Sequence, residues 1–156
     1  MLLCDDAWVD DEVFWALIAK LDWSQAGGDD RVVEPVVAAL AAMAQLDVEA
    51  FQHILAEKLH ALDGRAWARE SGPGIWWGDP DSLSADGFLY ARCVVVANGR
   101  RFYENVLANP SAMPTDMEFE SLLNIAGKAR QRQSGEDSQP ETTVSYGTFS
   151  NAAGWR

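Results

Sequence analysis

The chain is predicted to fold as an all-α domain, and three observations carry the prediction. Apolar residues recur at three- and four-residue spacing from Phe14 to Leu62, the period of a helix face. The stretch Asp86 to Asn98 is apolar nearly all round and is followed by Gly99, placed as a helix stop. Breaker pairs at Gly27-Gly28, Asp63-Gly64 and Asn109-Pro110 punctuate the periodic runs. The expectation is a compact, bundle-like single helical domain of five to seven helices over residues 1–133, with a central helix at about 86–98. Residues 134–156 are expected to be a polar linker and an irregular aromatic C-terminal tail that packs back on the domain.

Asp10 is expected to cap a first helix that runs to about Asp22, with Phe14, Leu17, Ile18 and Leu21 on one face. Asp11 and Glu12 then lie where the positive end of the helix dipole favours them. A second helix covers Arg31 to Met43; Pro35 sits in its first turn if it begins near Glu34, or inside it if it begins at Asp30. A third begins at Asp47 with Val48, Phe51, Ile54, Leu55, Leu59 and Leu62 inward, ends at Asp63-Gly64, and leaves room for a further turn through Trp67. Ser71 to Ala85 reads as a long Gly/Pro/Asp/Ser loop, the expected working surface. For 86–98, Val94-Val95-Val96 has strand propensity, but the length of the segment and Gly99 favour a helix. Arg101 to Leu107 makes a short helix, and Thr115-Asp116-Met117-Glu118 reads as a capping box opening a last helix to about Gln133.

At 156 residues a single domain buries roughly 70% of its unfolded surface, enough for a core without metal or disulfide. Cys4 and Cys93 read as reduced thiols, Cys93 in the core and Cys4 at the periphery. No apolar run is long enough to span a bilayer, and Met1 to Asp6 turns acidic where a secretory leader needs a basic start, so a cytoplasmic location and no membrane association are expected. The net charge of −12 repels phosphate backbones, so no nucleic-acid partner is expected; the same charge suits a basic protein partner, or simply solubility.

Arg92 lies in the middle of the apolar 86–98 segment and must be buried with it, so an Asp or Glu from elsewhere is expected to meet it. The two histidines share one stripe of the third helix, Glu49, His53, Glu57 and His60. Glu57-x-x-His60 has the spacing of carboxylate-bridged metal helices, which makes His53, Glu57 and His60 the metal candidates. No third histidine exists and the stripe lies opposite the apolar face, so a solvated face of paired side chains is preferred and no cofactor is expected. Asp79, Asp81 and Asp86 fail as a calcium loop because Leu83 and Ser84 stand where an oxygen ligand and glycine are required. No catalytic constellation is visible, which favours a binding role over an enzymatic one.

Trp76 and Trp77, flanked by Gly74 and Gly78, are candidate partner-binding anchors together with Asp79 and Asp81; equally, the two rings cover the chain's own core. A second candidate is a pocket for a small molecule or peptide around Arg92, lined by Tyr90, Tyr103, Tyr146, Ser150 and Asn151. Arg65, Arg69, Arg100 and Arg101 are candidates for a small basic patch at helix ends, but in so acidic a chain internal salt bridges are preferred.

Val13-Phe14-Trp15 with Leu21-Asp22, Phe51 to Asp63, Asp86-Gly87-Phe88-Leu89-Tyr90-Ala91-Arg92 with Gly99 and Tyr103, and Tyr146-Gly147-Thr148-Phe149-Ser150-Asn151 with Gly154-Trp155 resemble the bacterial domain family DUF4240. The resemblance covers most of the chain except 71–85. It implies a mostly helical soluble bacterial domain in which Arg92 and the terminal segment recur, and it implies no activity, cofactor or catalytic residue. The functional expectation is therefore a binding module that holds a protein partner in a regulatory or immunity-type role. The alternative is an enzyme or biosynthetic accessory with its ligand at Arg92. The sequence does not set the oligomeric state.

Overall fold

The computed structural model describes residues 8–156, so the expectations for Cys4 and for the acidic start of the chain lie outside the described residues. Eight α-helices and no strand are present among the described residues. They are α1 (Asp11–Ile18), α2 (Asp29–Ala41), α3 (Gln45–Ala61), α4 (Arg65–Ala68), α5 (Ala85–Ala97), α6 (Arg100–Ala108), α7 (Ile125–Ser134) and α8 (Ala152–Trp155). Short 3₁₀ turns occur at Trp23–Gln25, Pro80–Ser82, Pro110–Ala112 and Glu120–Asn124. Two of the α-helices, α4 and α8, are single four-residue turns. No helix among the described residues is long and apolar enough to cross a membrane.

The chain divides into two compact units, one of residues up to Leu55 with Ser121–Thr143, the other of Ala56–Glu120 with Val144–Arg156. In the first unit Asp10 caps α1 by accepting the Val13 N–H at 2.9 Å, and Phe14, Leu17, Ile18 and Leu21 are buried as their spacing requires. The helix ends at Ile18, short of Asp22, because the chain tightens into i→i−3 bonds at Lys20 and Leu21, and Asp22 instead caps the 3₁₀ turn through Ser24. Phe14 packs on Phe51 of α3 with ring centroids 5.0 Å apart. Burying side chains of this size contributes about 1.5–3 kcal/mol each.

Pro35 lies inside α2, which starts at Asp29. Lys128 of α7 reaches Asp30 at 2.8 Å and Arg132, one turn on, is paired with Glu34, so α2 and α7 run in the same direction. The hydrogen bonds from these cations hold both carboxylates below the ordinary carboxylate range. Asp47, expected to open α3, does so from within its first turn: it is buried and accepts N–H bonds from Trp8, Val9 and Ala44.

In the second unit Ser84 caps α5 through the Gly87 N–H, and Phe88, Ala91 to Ala97 and Arg92 among them are buried. Gly99 has φ +98°, a conformation open to glycine that ends α5 and starts α6. Thr115 to Glu118 does not open a helix. Asp116, which would be the first helical residue, adopts φ +52°, outside the right-handed helical region, and is tied to another loop: it donates its N–H to the Ser71 carbonyl at 2.9 Å and accepts the Gly74 N–H at 2.8 Å.

Replacing Asp47 with alanine strands three N–H donors in the first unit, and a loss of about 1–3 kcal/mol in urea unfolding is expected at each donor that finds no water. Asp47→Asn, which keeps one acceptor oxygen, is expected to recover part of the difference.

Candidate functional site

The acid that meets Arg92 is Asp63, the residue after the C-terminal turn of α3. Both side chains have no exposed surface, and Arg92 Nη2 stands 4.0 Å from Asp63 Oδ1. That separation is an ion pair without a direct hydrogen bond, so each partner is satisfied by other groups. Arg92 Nη1 donates to the Leu59 and Tyr146 carbonyls, each at 2.9 Å, and Nη2 donates to Thr148 Oγ1 at 3.0 Å. Nε has no acceptor; the guanidinium carbon lies 4.8 Å from the Phe88 ring centroid, where the ring face takes up part of the charge. Burial pulls the guanidinium down to about 10 while Asp63 pushes it back up, so Arg92 stays charged at neutral pH.

Asp63 in turn accepts three donors from the C-terminal segment: the Phe149 and Asn151 N–H groups at 3.1 and 2.8 Å and Trp155 Nε1 at 2.9 Å. Asn151 also donates through Nδ2 to the His60 carbonyl, and Thr148 donates to the Ala85 carbonyl at 2.7 Å. The tail is thus fastened by its own main chain to a buried acid and a buried base. Gly154 is required in this arrangement, because a Cβ there would run into the Asp63 carbonyl and the backbone of Gly64. Phe149 is forced to φ +75°, a strained backbone for a non-glycine residue, and is held so by the bonds that its own N–H and that of Asn151 make to Asp63.

The tail carries its aromatics to a cleft. Trp155 packs against Phe149, Phe88 and Trp76 with centroids 4.6, 5.9 and 6.3 Å apart. Arg65, Trp76, Leu83, Phe149 and Trp155 line a space of about 50 Å³. The segment between Trp76 and Leu83 forms a closed loop: Trp77 N–H donates to Ser82 Oγ, Ser84 N–H to the Ile75 carbonyl, Trp76 Nε1 to the Asp79 carbonyl, and Asp79 caps the Pro80–Ser82 turn. Trp76 is consequently buried at 7% exposure, whereas Trp77 is 78% exposed with Asp79 and Asp81 exposed beside it in sequence. The pair of tryptophans therefore divides: Trp76 covers the chain's own core, and only Trp77 presents its ring.

The residues expected around an Arg92 pocket are placed differently. Arg92, Tyr146 and Asn151 do come together, but around Asp63 in a centre with no exposed surface at Arg92. Tyr103 is buried with its hydroxyl on the Lys58 carbonyl at 2.9 Å, Tyr90 reaches Glu120 at 3.2 Å near the surface, and Ser150 is exposed and bonded to Ser145. Arg65 opens onto the aromatic cleft formed with the tail. Of Arg65, Arg69, Arg100 and Arg101, assigned from sequence to salt bridges, Arg100 pairs with Glu104 at 3.4 Å. His60 Nδ1 lies 2.8 Å from the Ser145 carbonyl, and His53, Glu57 and His60 do not converge: no group of three or more His, Cys, Asp or Glu is arranged to hold a metal among the described residues. Sequence reasoning required an acid for Arg92 but could not choose Asp63, because a helix-end Asp before glycine reads as a turn residue. Arg65 stands in the sequence among helix-end arginines and Leu83 in the long loop, and neither pattern points to the cleft.

These observations define an all-α protein whose buried ion pair fastens its own terminal segment and whose exposed chemistry is aromatic and acidic. The chain belongs to the DUF4240 family: the family model, described as a protein of unknown function, matches residues 9–132. The matched span includes residues 71–85 and stops before the Tyr146 to Trp155 motif. No curated protein and no solved structure matches the chain.

Arg92→Met and Asp63→Leu are each expected to cost about 3–5 kcal/mol in denaturant unfolding, with the double variant costing less than their sum, since each single change strands a buried charge. Burial pushes the Cys93 thiol up to about 12 from an ordinary value of 9.0. The unfolded thiol therefore ionises first, so the stability Cys93 contributes is complete below pH 9 and is lost as pH rises toward 12. Cys93→Val is expected to flatten the fall of unfolding free energy as pH rises from about 9 toward 12, measured as urea midpoints at each pH.

Proposed function

We propose that this chain is a cytoplasmic binding module that holds a protein partner by a basic segment, with Trp77 as the anchor and Asp79 and Asp81 as its acidic flank. The observation that supports the reading is the 78% exposure of Trp77 on a loop closed by hydrogen bonds at both ends. A large stiff ring held out of the fold loses little entropy on binding and buries much area, as interface anchors do. An arginine or lysine of the partner stacks on the indole face while its charge meets the two carboxylates, each contact strengthening the other. The net charge of −12 steers such a segment toward the chain and makes capture sensitive to salt.

Capture from native lysate, followed by calorimetry with the purified partner, tests the reading. Trp77→Ser is expected to leave helicity and unfolding unchanged and to weaken binding about thirtyfold or more, the size of an interface hot spot. Asp79→Asn, which still caps its turn, and Asp81→Asn are expected to weaken binding less and to reduce its salt dependence. Trp23→Ser, which removes another exposed ring, serves as the control and is expected to bind as wild type does. A partner lost equally by Trp23→Ser, kept by Trp77→Ser, or devoid of a basic segment overturns the proposal, as does capture of nothing.

A further inference from the structure

The cleft formed by the C-terminal segment contains a cation that the fold does not neutralise. Arg65 is half-buried among Trp76, Leu83, Phe149 and Trp155. It donates Nη2 to the Trp155 carbonyl at 3.3 Å and forms no ion pair with the described residues, in a chain with 24 acidic side chains. A guanidinium offers five N–H donors in a planar fork, and one long hydrogen bond leaves most of them unused. Against aromatic walls those donors have lost part of their water, so the free energy of an incoming anion is not spent on stripping it. The shape then selects the anion. A volume of about 50 Å³ admits only a few non-hydrogen atoms. Three walls are ring faces or edges and the fourth is Leu83, so part of whatever enters must be hydrocarbon. Phosphate and sulfate carry oxygen on every side and leave those walls facing polar atoms. A carboxylate is planar, matches the guanidinium fork and brings a carbon chain behind it.

We propose that this cleft is a binding site for a short-chain aliphatic carboxylate of about the size of propanoate, its carboxylate on Arg65 and its hydrocarbon against Trp76, Leu83, Phe149 and Trp155. The inference does not rest on the partner reading. It assigns to Arg65 the role that the sequence suggested for Arg92. The site exists only while Asp63 holds Phe149 and Trp155 in place, because two of its walls come from the tail.

The test is titration of the full-length protein with sodium propanoate at constant ionic strength, made up with sodium chloride and followed by the tryptophan indole N–H signals in two-dimensional NMR. Saturable shifts are expected at Trp76 and Trp155, with Trp8 and Trp23 unmoved, and a dissociation constant of about 1 mM, the order that five non-hydrogen atoms can supply. Propanamide, isosteric but uncharged, is expected to bind about tenfold more weakly or worse, and Arg65→Gln to lose propanoate while keeping the spectrum of the folded chain. Leu83→Phe fills the cleft and keeps Arg65; it is expected to lose binding as well and decides the matter if Arg65→Gln does not fold. The absence of saturable shifts, equal binding of propanoate and propanamide, or retention of binding by Leu83→Phe overturns the proposal. Failure here leaves the response of partner capture to Trp77→Ser untouched, so the two readings fail separately.

Discussion

A guanidinium with no access to water has to be surrounded by oxygen, and the second unit is organised around that requirement. Arg92 cannot leave α5 without breaking an apolar helix, so its acceptors come to it: the Leu59 carbonyl from the last turns of α3, the Tyr146 carbonyl and Thr148 hydroxyl from the tail, and Asp63 for the charge. The 4.0 Å separation from Asp63 means that the pair is held by Coulomb attraction at low dielectric while both groups spend their hydrogen bonds elsewhere. That division lets one ion pair order a whole segment. Asp63 is free to accept from Phe149, Asn151 and Trp155, and those bonds set the tail's path, including the strained backbone of Phe149. A well-packed apolar replacement could match the pair in stability but would hold no main-chain donors.

The same requirement explains what was legible in the sequence. Burial of Arg92 and the need for an acid followed from a single arginine in an apolar run, a local pattern. The helices followed from period and from the caps at Asp10 and Ser84, also local. What failed depended on neighbours far along the chain. Thr115 to Glu118 has the letters of a capping box, yet Asp116 spends its carboxylate and its N–H on Gly74 and Ser71, more than forty positions earlier. The apolar period extends α1 to Asp22, yet the Asp22 side chain turns to Ser24 and its main-chain N–H to the Val32 carbonyl. A polar side chain can serve a local or a distant donor with the same atoms, and composition does not say which.

Trp76 and Trp77 show the limit most clearly, because adjacent residues of one type have opposite fates. The Trp76 indole N–H finds the Asp79 carbonyl, which permits its ring to be buried beside Trp155; the Trp77 ring points out from a loop whose backbone bonds are already made. Neighbouring side chains in an extended segment point to opposite sides, which lets one ring be buried while the next is exposed. The dipeptide promised an aromatic feature, and only the fold could say that one half is structural and one half is available.

The family match sharpens the role of the tail. Residues 9–132 include both Arg92 and Asp63, but all three donors to the Asp63 carboxylate and two of the three hydrogen-bond acceptors of the Arg92 guanidinium come from residues beyond 132. Among the described residues of the matched span, the Arg92 guanidinium donates only to the Leu59 carbonyl, and the Asp63 carboxylate, 4.0 Å from its counter-ion, accepts no hydrogen bond. Such an arrangement costs more than it returns. The buried pair is therefore built to be completed by a segment that supplies main-chain N–H groups in a turn, and in this chain residues 144–156 are that segment. The aromatic cleft is a product of the completion, since Phe149 and Trp155 reach it only on a backbone that Asp63 has already fixed.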